Sequence, residues 1–143
     1  MLGKLDHIAI AVDDTDAALT LYRDTLGLPV VFTEVLADQG VRLTHLDLGP
    51  CHLQLVQPLS DRHPLAGFLY EHGESLHHIC FEVENVLRAI DELPARGLRS
   101  SDVQPRSGPR GRLALFIDTS GTRGVRLELT SDRPVVSTRE SIG

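Results

Sequence analysis

The sequence predicts an α+β fold in which two pseudo-symmetric copies of a βαβββ unit pack together. A strand-like stretch that contains a histidine, residues 5–12, recurs as residues 76–83. Each copy is followed by a helix-like stretch that closes on a glycine, at Gly27 and Gly97. Each unit also ends in a strand in which one polar residue, Gln54 or Glu128, stands between two leucines. Repetition at about half the chain length is typical of a duplicated unit in which neither half can cover its own sheet alone.

The first unit is predicted as one strand, one helix and three more strands. Residues 8–12 are all β-branched or small, which favours a strand over residues 5–12, and residues 13–16 offer Asp and Thr side chains that can cap a helix start. Apolar residues then recur near the 3.6-residue period, and Gly27 stands where a helix C-cap is expected. Turn residues separate the three strand-like stretches that follow, which are residues 29–35, 41–48 and 52–57.

The second unit repeats this order from residue 76. Residues 84–96 carry apolar side chains on one helical face and end at Gly97, and strand-like stretches follow at residues 113–117 and 125–130. We therefore divide a single domain, residues 1–143, into a first unit at about 4–58, a linker at about 59–74, a second unit at about 75–131 and a tail at 132–143. The linker is expected to hold a short helix, and the polar tail is expected to fray.

Composition and charge exclude two classes of partner. The formal net charge of −6 argues against nucleic acid, because that affinity comes largely from phosphate neutralisation by Lys and Arg. No apolar run approaches the roughly 18 residues of a membrane helix. The first six residues leave no room for a signal segment, so we expect a cytoplasmic protein. Cys51 and Cys80 are too few for a disulfide scaffold and are expected to be small buried residues.

Residues that can bind a metal stand at equivalent points of the two units. His7 and His78 lie in the first strands, and Gln54 and Glu128 lie in the last strands. These polar residues interrupt apolar strands, and a buried carboxylate or imidazole is costly unless it is paired or bound to a metal. Four such residues that converge across a pseudo-twofold axis would form a site of N and O ligands, without thiolate, for a divalent ion.

Each of these residues also has an ordinary structural interpretation. A strand histidine is commonly a satisfied structural group, Gln54 could bond to backbone at a sheet edge, and Glu128 could pair with Arg126 or Arg42. The repeat relation between the four positions favours the metal site. The remaining histidines have no repeat-related partner of ligand type and are first assigned surface or supporting roles: His45, His52, His63, His72 and His77.

Arg106, Arg110 and Arg112 form a basic cluster in a segment rich in Gly and Pro. A polyanionic ligand would need such a local cluster, because the protein as a whole is negatively charged. A solvated turn with scattered charges is the alternative.

The residues collected above resemble the vicinal-oxygen-chelate superfamily of glyoxalases, bleomycin-resistance proteins and dioxygenases, over about residues 4–131. The matching segments are residues 5–12, 32–41, 53–59, 73–83 and 124–129, and the most specific feature is the doubled histidine after a Gly–Glu pair. The resemblance implies two modules that form an open cup of mixed β-sheet around a metal site, usually in a homodimer. It also implies that one divalent ion (Co, Mn, Ni or Zn) is bound by His7, Gln54, His78 and Glu128.

Within this superfamily the sequence is most similar to the methylmalonyl-CoA epimerase family. That similarity implies an isomerase that removes the α-proton of a 2-methyl-branched malonyl-type acyl-CoA through a metal-stabilised enediolate. Glu128 is the candidate for one acid/base group. Leu43 stands where some members have a catalytic glutamate, and His45, which shares a strand face with Leu43, is the candidate for the second. The arginine cluster would bind the phosphates of this small-molecule substrate, and neither nucleic acid nor a membrane is an expected partner.

Three alternatives stay open. A glyoxalase-I-like lactoylglutathione lyase, acting on a glutathione thiol adduct, uses the same cup, and Asp118 in the turn before the last strand favours it. An extradiol dioxygenase needs two histidines and one carboxylate around iron, but the fourth ligand and the short chain argue against it. A metal-free resistance protein that sequesters a drug would generally lack the ligand set found here.

Overall fold

The first half of the chain supplies four strands and a helix in the predicted order. The computed structural model describes residues 1–134. Strand β1 (Leu5–Ala11) leads into helix α1 (Thr15–Leu19), which continues as a π-helical segment, Thr20–Thr25. The remaining elements of this half are β2 (Val30–Leu36), β3 (Val41–Asp47) and β4 (His52–Pro58). Helix α2 (Pro64–His72) lies in the segment expected to hold a linker helix.

The second half has the same order, and its last three strands are shorter than those of the first half. Its elements are β5 (Ser75–Glu82), α3 (Val86–Glu92), β6 (Arg106–Ser107), β7 (Leu113–Phe116) and β8 (Leu127–Ser131). Short 3-10 turns lie at Pro94–Arg96, Pro109–Gly111 and Thr119–Gly121. Strand β6 lies in the arginine-rich segment, where the alternative interpretation expected only a turn. Most of the tail that was expected to fray, residues 135–143, lies outside the described residues.

The eight strands form one mixed sheet in the order β2-β3-β4-β1-β5-β8-β7-β6. The antiparallel pair β1–β5 joins the two halves, and β1–β4 and β5–β8 are parallel pairs in equivalent places. The remaining pairs are antiparallel. The order is therefore the same on both sides of the central pair, and the curled sheet confirms the predicted α+β cup with pseudo-twofold symmetry.

The two units also share the chemistry that starts and ends their helices. The side chains of Asp14 and Asn85 cap α1 and α3, and each accepts two backbone N–H groups. Gly27 and Gly97 follow these helical segments with φ of 82° and 76°, in the left-handed region that glycine adopts without a steric cost. Both glycines were predicted as helix ends.

Helices α1 and α3 cover the outer face of the sheet, while α2 packs on the concave face. Helix α1 packs its Ala18 and Leu19 with β-strand residues such as Leu46, and α3 packs through a separate apolar cluster of the second half. Helix α2 contributes Leu65 and Leu69 to a cluster with Ala9, Ala11, Val41, Leu43 and Val56. In the part of the chain that the structure describes, no helix combines the length and apolar character needed to cross a bilayer.

Candidate metal centre and cavity

Two rows of side chains cross the centre of the concave face and contain the predicted metal ligands. The first row crosses β4, β1 and β5 and consists of Gln54, Ala9 and His78. The second row crosses β1, β5 and β8 and consists of His7, Cys80 and Glu128. Each row has a small residue in the middle and a candidate ligand at each end. The pseudo-twofold axis thus brings candidate ligands from both halves to one place.

Three of the candidate ligands contact one another directly. His7 Nε2 lies 3.3 Å from His78 Nε2, and Glu128 Oε1 lies 3.2 Å and 3.3 Å from these two nitrogens. All three side chains are buried. Ligand bonds of about 2.0–2.2 Å to a divalent ion give ligand–ligand separations of roughly 3.0–3.5 Å. The three donor atoms therefore have the spacing of one face of a metal coordination shell.

Gln54 is close to this group, and its amide nitrogen points away from the cavity. Its Nε2 lies 2.9 Å from His45 Nε2, while the residue lines the cavity next to His78 and Glu128. Its carbonyl oxygen is therefore the atom left to face the cavity. The donor set is two imidazoles, one carboxylate and one amide, which suits Mn, Co, Ni or Zn.

The carboxylate of Glu128 is neutralised from two directions. Burial alone raises its pKa, but His78 and His7 outweigh this and hold the pKa well below its usual range. Arg106 Nη2 donates to the other oxygen, Oε2, at 3.0 Å. Glu128 is thus a buried anion with a partner at each oxygen.

His7 is supported by a carboxylate behind it. Asp6 Oδ2 lies 2.7 Å from His7 Nδ1, and Asp6 Oδ1 accepts from Arg112 Nη1 at 3.0 Å. A β-bulge between Leu5 and His7 interrupts the regular alternation at this point. Burial lowers the pKa of His7, but Asp6 and Glu128 outweigh this and raise it to about 9. A carboxylate on the second ring nitrogen is a common support for a metal-bound histidine.

A second group of possible ligands, formed by Asp6, His7 and Cys80, is less suited to an ion. Arg112 already holds the Asp6 carboxylate. Burial raises the pKa of the Cys80 thiol, which disfavours the thiolate that a metal requires. Asp6 therefore serves to orient His7.

A cavity of about 360 Å³ lies next to the ligand group. One wall is apolar and comes from the first half and α2, with Val41, Leu43, Val56, Leu65 and Phe68. The other wall is polar or aromatic and comes from the second half, with His77, Asp102, Arg106, Phe116 and Arg126. Such a volume is at the lower end of the range for ligand pockets, so it suits a short acyl group better than a nucleotide.

The structure brings one of the three predicted substrate-binding arginines into this cavity. Arg106 is held by Asp102 at 3.3 Å and lies over the ring of Phe116 at 4.4 Å. Arg110 lies outside, with its guanidinium 4.0 Å over the Phe32 ring. Arg112 also lies outside, since it is tied to Asp6 and to other carboxylates near the start of β1 and the end of β5.

His45, which the sequence suggested as a second acid/base, does not face the cavity. Its Nε2 contacts Gln54, and its Nδ1 lies 2.9 Å from His52 Nδ1. Burial, with smaller contributions from His7 and His52, lowers the pKa of His45 to about 3. An imidazole with both nitrogens engaged and no contact with the cavity is not placed to exchange a proton with a substrate there. Leu43, two residues earlier on the same face, does line the cavity.

From the sequence, His52 and His77 were expected to have surface or supporting roles, whereas Asp6 and Asp102 were not singled out. Asp6 and His77 stand next to predicted ligands, and His77 Nδ1 lies 2.8 Å from His78 Nδ1, so adjacency to a ligand was an available signal. Asp102 had no such signal, because its contact with Arg106 depends on how the segment between α3 and β6 folds back. The contact between His52 and His45 follows from the pairing of β3 with β4.

A family model described as the glyoxalase/bleomycin resistance protein/dioxygenase superfamily matches residues 6–116 of the chain. The chain belongs to this superfamily. Among the relatives, ethylmalonyl-CoA/methylmalonyl-CoA epimerase of Cereibacter sphaeroides is 38% identical over 131 residues, which is 90% of this chain and 98% of that protein. The mitochondrial methylmalonyl-CoA epimerase of Homo sapiens is 35% identical over 129 residues, 90% of this chain and 73% of that protein.

Solved structures of superfamily members agree with the fold. A single-substitution variant of Streptomyces coelicolor methylmalonyl-CoA epimerase, in complex with 2-nitronate-propionyl-CoA, matches with a TM-score of 0.85 and 34% identity. The match covers 96% of this chain and 99% of that one. Methylmalonyl-CoA epimerase from Mycobacterium tuberculosis matches with a TM-score of 0.86 and 30% identity, over 93% and 90% of the two chains.

Proposed function

We propose that this protein is a divalent-metal-dependent epimerase of a 2-methyl-branched malonyl-type acyl-CoA. The observation that carries the proposal is the group of repeat-related, buried donor atoms next to a cavity that suits a short acyl group. The epimerase names of its relatives, and the acyl-CoA analogue bound to one of them, support the same substrate class. The names of these relatives do not favour the lactoylglutathione lyase that the Asp118 turn suggested.

The proposed ligands are His7, Gln54, His78 and Glu128, and the proposed ion is Co, Mn, Ni or Zn. When bound, such an ion supplies a Lewis acid that increases the acidity of the substrate's α-proton. Glu128 is the only anion among the four ligands, so the site keeps a net positive charge toward the negative charge that develops on the substrate.

Glu128 is also our candidate for one acid/base group. Its Oε2 is turned away from the two imidazoles, toward Arg106. Its low pKa keeps it ionised, which is the state that accepts a proton, but also makes it a weak base. The reaction therefore depends on a substrate acidified at the metal. Since His45 lies behind Gln54 and Leu43 is apolar, we propose that water delivers the proton on the opposite face.

Arg106 is the proposed contact for the anionic acyl group. It is half-buried, it lines the cavity, and Asp102, Glu128 and the Phe116 ring fix its position. Arg126 adds a second cation to the same wall. A malonyl-type carboxylate would meet a fixed guanidinium there, while the CoA nucleotide would extend beyond the cavity.

The decisive experiment measures α-proton exchange of methylmalonyl-CoA in deuterated water by the metal-loaded protein. We expect exchange by the wild type and none by His78→Ala, which loses a ligand but keeps Glu128 and Arg106. A metal-loaded wild type that exchanges no acyl-CoA proton, but converts the glutathione adduct of methylglyoxal, would move the proposal to the lyase.

The metal site is tested separately by elemental analysis after cobalt loading. We expect about one ion per chain, lost on chelation and absent from His78→Ala and Glu128→Ala. A wild type that stays metal-free under these conditions would rule out the site.

Two further expectations accompany this proposal. The family resemblance favours a homodimer, which sedimentation at two protein concentrations would detect as a species of twice the chain mass. A cytoplasmic location stays a prediction from the sequence.

A further inference from the structure

A chain of three polar side chains runs from Gln54 away from the cavity. His45, which is 2% exposed, has its Nε2 2.9 Å from Gln54 Nε2 and its Nδ1 2.9 Å from His52 Nδ1. An amide nitrogen can only donate, so His45 Nε2 must accept. A neutral imidazole that accepts at Nε2 carries its proton on Nδ1 and donates it to His52. The chain therefore has one direction, from Gln54 through His45 to His52.

This direction matters because a glutamine amide has two orientations of nearly the same shape. One presents oxygen to the metal site, and the other presents the NH₂ group, which is not a ligand for these ions. We propose that His45 is a positioning residue that holds the Gln54 amide with its oxygen toward the metal site. The inference rests on the metal site of the proposed function and assigns His45 a role through Gln54, without contact with substrate.

The His45 ring is itself held in place from both halves of the molecule. Phe32 of β2 stacks on it, with ring centroids 4.3 Å apart and an angle of 23° between the planes. The guanidinium of Arg110, from the second half, covers Phe32 at 4.0 Å. The backbone N–H of Arg110 donates to Glu34 at 2.9 Å. A ring packed in this way keeps its nitrogens aimed at Gln54 and His52, which is what positioning a ligand requires.

The second half has no equivalent of this device at the matching place. On β3 the residue paired with Gln54 is His45, whereas on β7 the residue paired with Glu128 is Phe116. A carboxylate presents oxygen in either orientation, so Glu128 needs no such partner. The supporting imidazole is thus found beside Gln54, the ligand whose amide has both an oxygen and an NH₂ group.

The test compares cobalt affinity, measured by chelator competition, and the visible spectrum of the cobalt-loaded protein. In His45→Phe the ring can still stack on Phe32 but both nitrogens are gone. We expect affinity to fall by about 10- to 100-fold, the usual effect of removing a ligand's supporting partner, with a change in the cobalt spectrum. His45→Gln restores an acceptor oxygen and should recover most of the loss. Thr44→Val, buried on the opposite face of β3, should leave affinity unchanged.

A double-mutant cycle separates positioning from general damage to the fold. If His45 acts through Gln54, His45→Phe should weaken cobalt binding little in a Gln54→Ala background. An equal loss in both backgrounds would overturn the inference. Nitrogen NMR of the wild type, which needs no variant, should show the Nδ1-protonated form of His45, and the Nε2-protonated form would also overturn it. A wild type that binds no cobalt overturns the metal site as well, while normal binding by His45→Phe overturns only the role of His45.

Discussion

The two halves of the sheet place their ligands by the same register but support them with different chemistry. Gln54 lies in the last strand of the first half and is supported by the neutral imidazole of His45. Glu128 lies in the last strand of the second half and is supported by Arg106. A buried amide needs an oriented hydrogen-bond partner, while a buried carboxylate needs compensating charge. Duplication therefore determines where the ligands lie, and the charge of each ligand determines what must lie behind it.

The halves also differ in the length of their strands. Strands β2, β3 and β4 have seven residues each, while β6, β7 and β8 have two, four and five. Because these strands are short, more residues of the second half lie in the irregular segment around β6, which carries Asp102, Arg106 and Arg110. The first half thus supplies a regular apolar wall and the second half supplies the charged groups.

The largest effect is expected from Glu128→Gln, which replaces the anionic ligand of the second half with a neutral amide like that of Gln54. The substitution removes the one anionic ligand and leaves Arg106 beside an uncharged amide. Cobalt affinity should fall by at least about 100-fold and proton exchange should be lost. The free energy of unfolding should fall by about 3 kcal/mol, because a buried ion pair has lost one partner. Chelator competition and urea denaturation measure the two effects.

The double variant Glu128→Gln/Arg106→Met is the matched control. Replacing the guanidinium, which keeps only Asp102 as a carboxylate partner in Glu128→Gln, with an apolar side chain should recover part of the stability without recovering metal affinity. Wild-type cobalt affinity in Glu128→Gln would show that the carboxylate is not a ligand, and the difference between the halves would then lose its functional meaning.

The reverse change, Gln54→Glu, gives the first half an anionic ligand like Glu128. Metal binding should be retained, because a carboxylate replaces an amide oxygen. Proton exchange should fall about tenfold, since a second anion reduces the positive charge that stabilises the developing oxyanion. Metal stoichiometry and the exchange rate, measured on the same sample, provide the test. Unchanged exchange with retained metal would contradict the charge argument.

The two ligand histidines differ in the direction of their pKa shifts, and this difference predicts a pH effect on stability. Burial lowers the pKa of His78, while Asp6 and Glu128 raise that of His7 to about 9 against burial. Protonated His7 stabilises the folded state, and this contribution is fully present below the unfolded pKa of about 6.5. It is lost as the pH rises through the folded pKa of about 9. The melting temperature of the metal-free protein should therefore fall by a few degrees between these pH values.

Asp6→Asn tests the origin of this pH effect. The variant removes one of the two carboxylates that raise the His7 pKa, so the fall in melting temperature should shrink and begin at lower pH. Asp118→Asn removes a carboxylate that caps the Thr119–Gly121 turn and is not among the groups that raise the His7 pKa, so this variant should keep the wild-type profile. A profile that does not change in Asp6→Asn would assign the effect to other groups.

The sequence predicted the fold and the position of each proposed ligand better than it predicted the supporting contacts. The repeat gave the placement of His7 and His78 because strand periodicity and pairing carry over from one unit to the next. The partners of Glu128 and Gln54 could not be derived in this way. Arg106 reaches Glu128 from an irregular segment with a two-residue strand, and the orientation of His45 depends on stacking against Phe32, a contact across two strands. Strand alternation correctly predicted that His45 lies on the concave face. It could not predict that the His45 ring lies behind Gln54, away from the cavity.

The smallest effect is expected at Arg110, through which the second half contacts Phe32 of β2. From the sequence Arg110 was expected to bind the CoA phosphates, but its guanidinium is already stacked over the Phe32 ring. Its φ of 57° is unfavourable for most residues, so Asn, which tolerates this conformation, is the better replacement than Ala. Arg110→Asn should lower the free energy of unfolding by about 0.5–1 kcal/mol, the value of one exposed cation–π contact. The Michaelis constant for acyl-CoA should stay within about twofold of the wild type, whereas Arg106→Gln should raise it clearly, because Arg106 lines the cavity. Kinetics at low and high salt decide between the two roles. A Michaelis constant that rises several-fold in Arg110→Asn, with an effect that shrinks as salt screens the charge, would place the CoA phosphates next to Arg110.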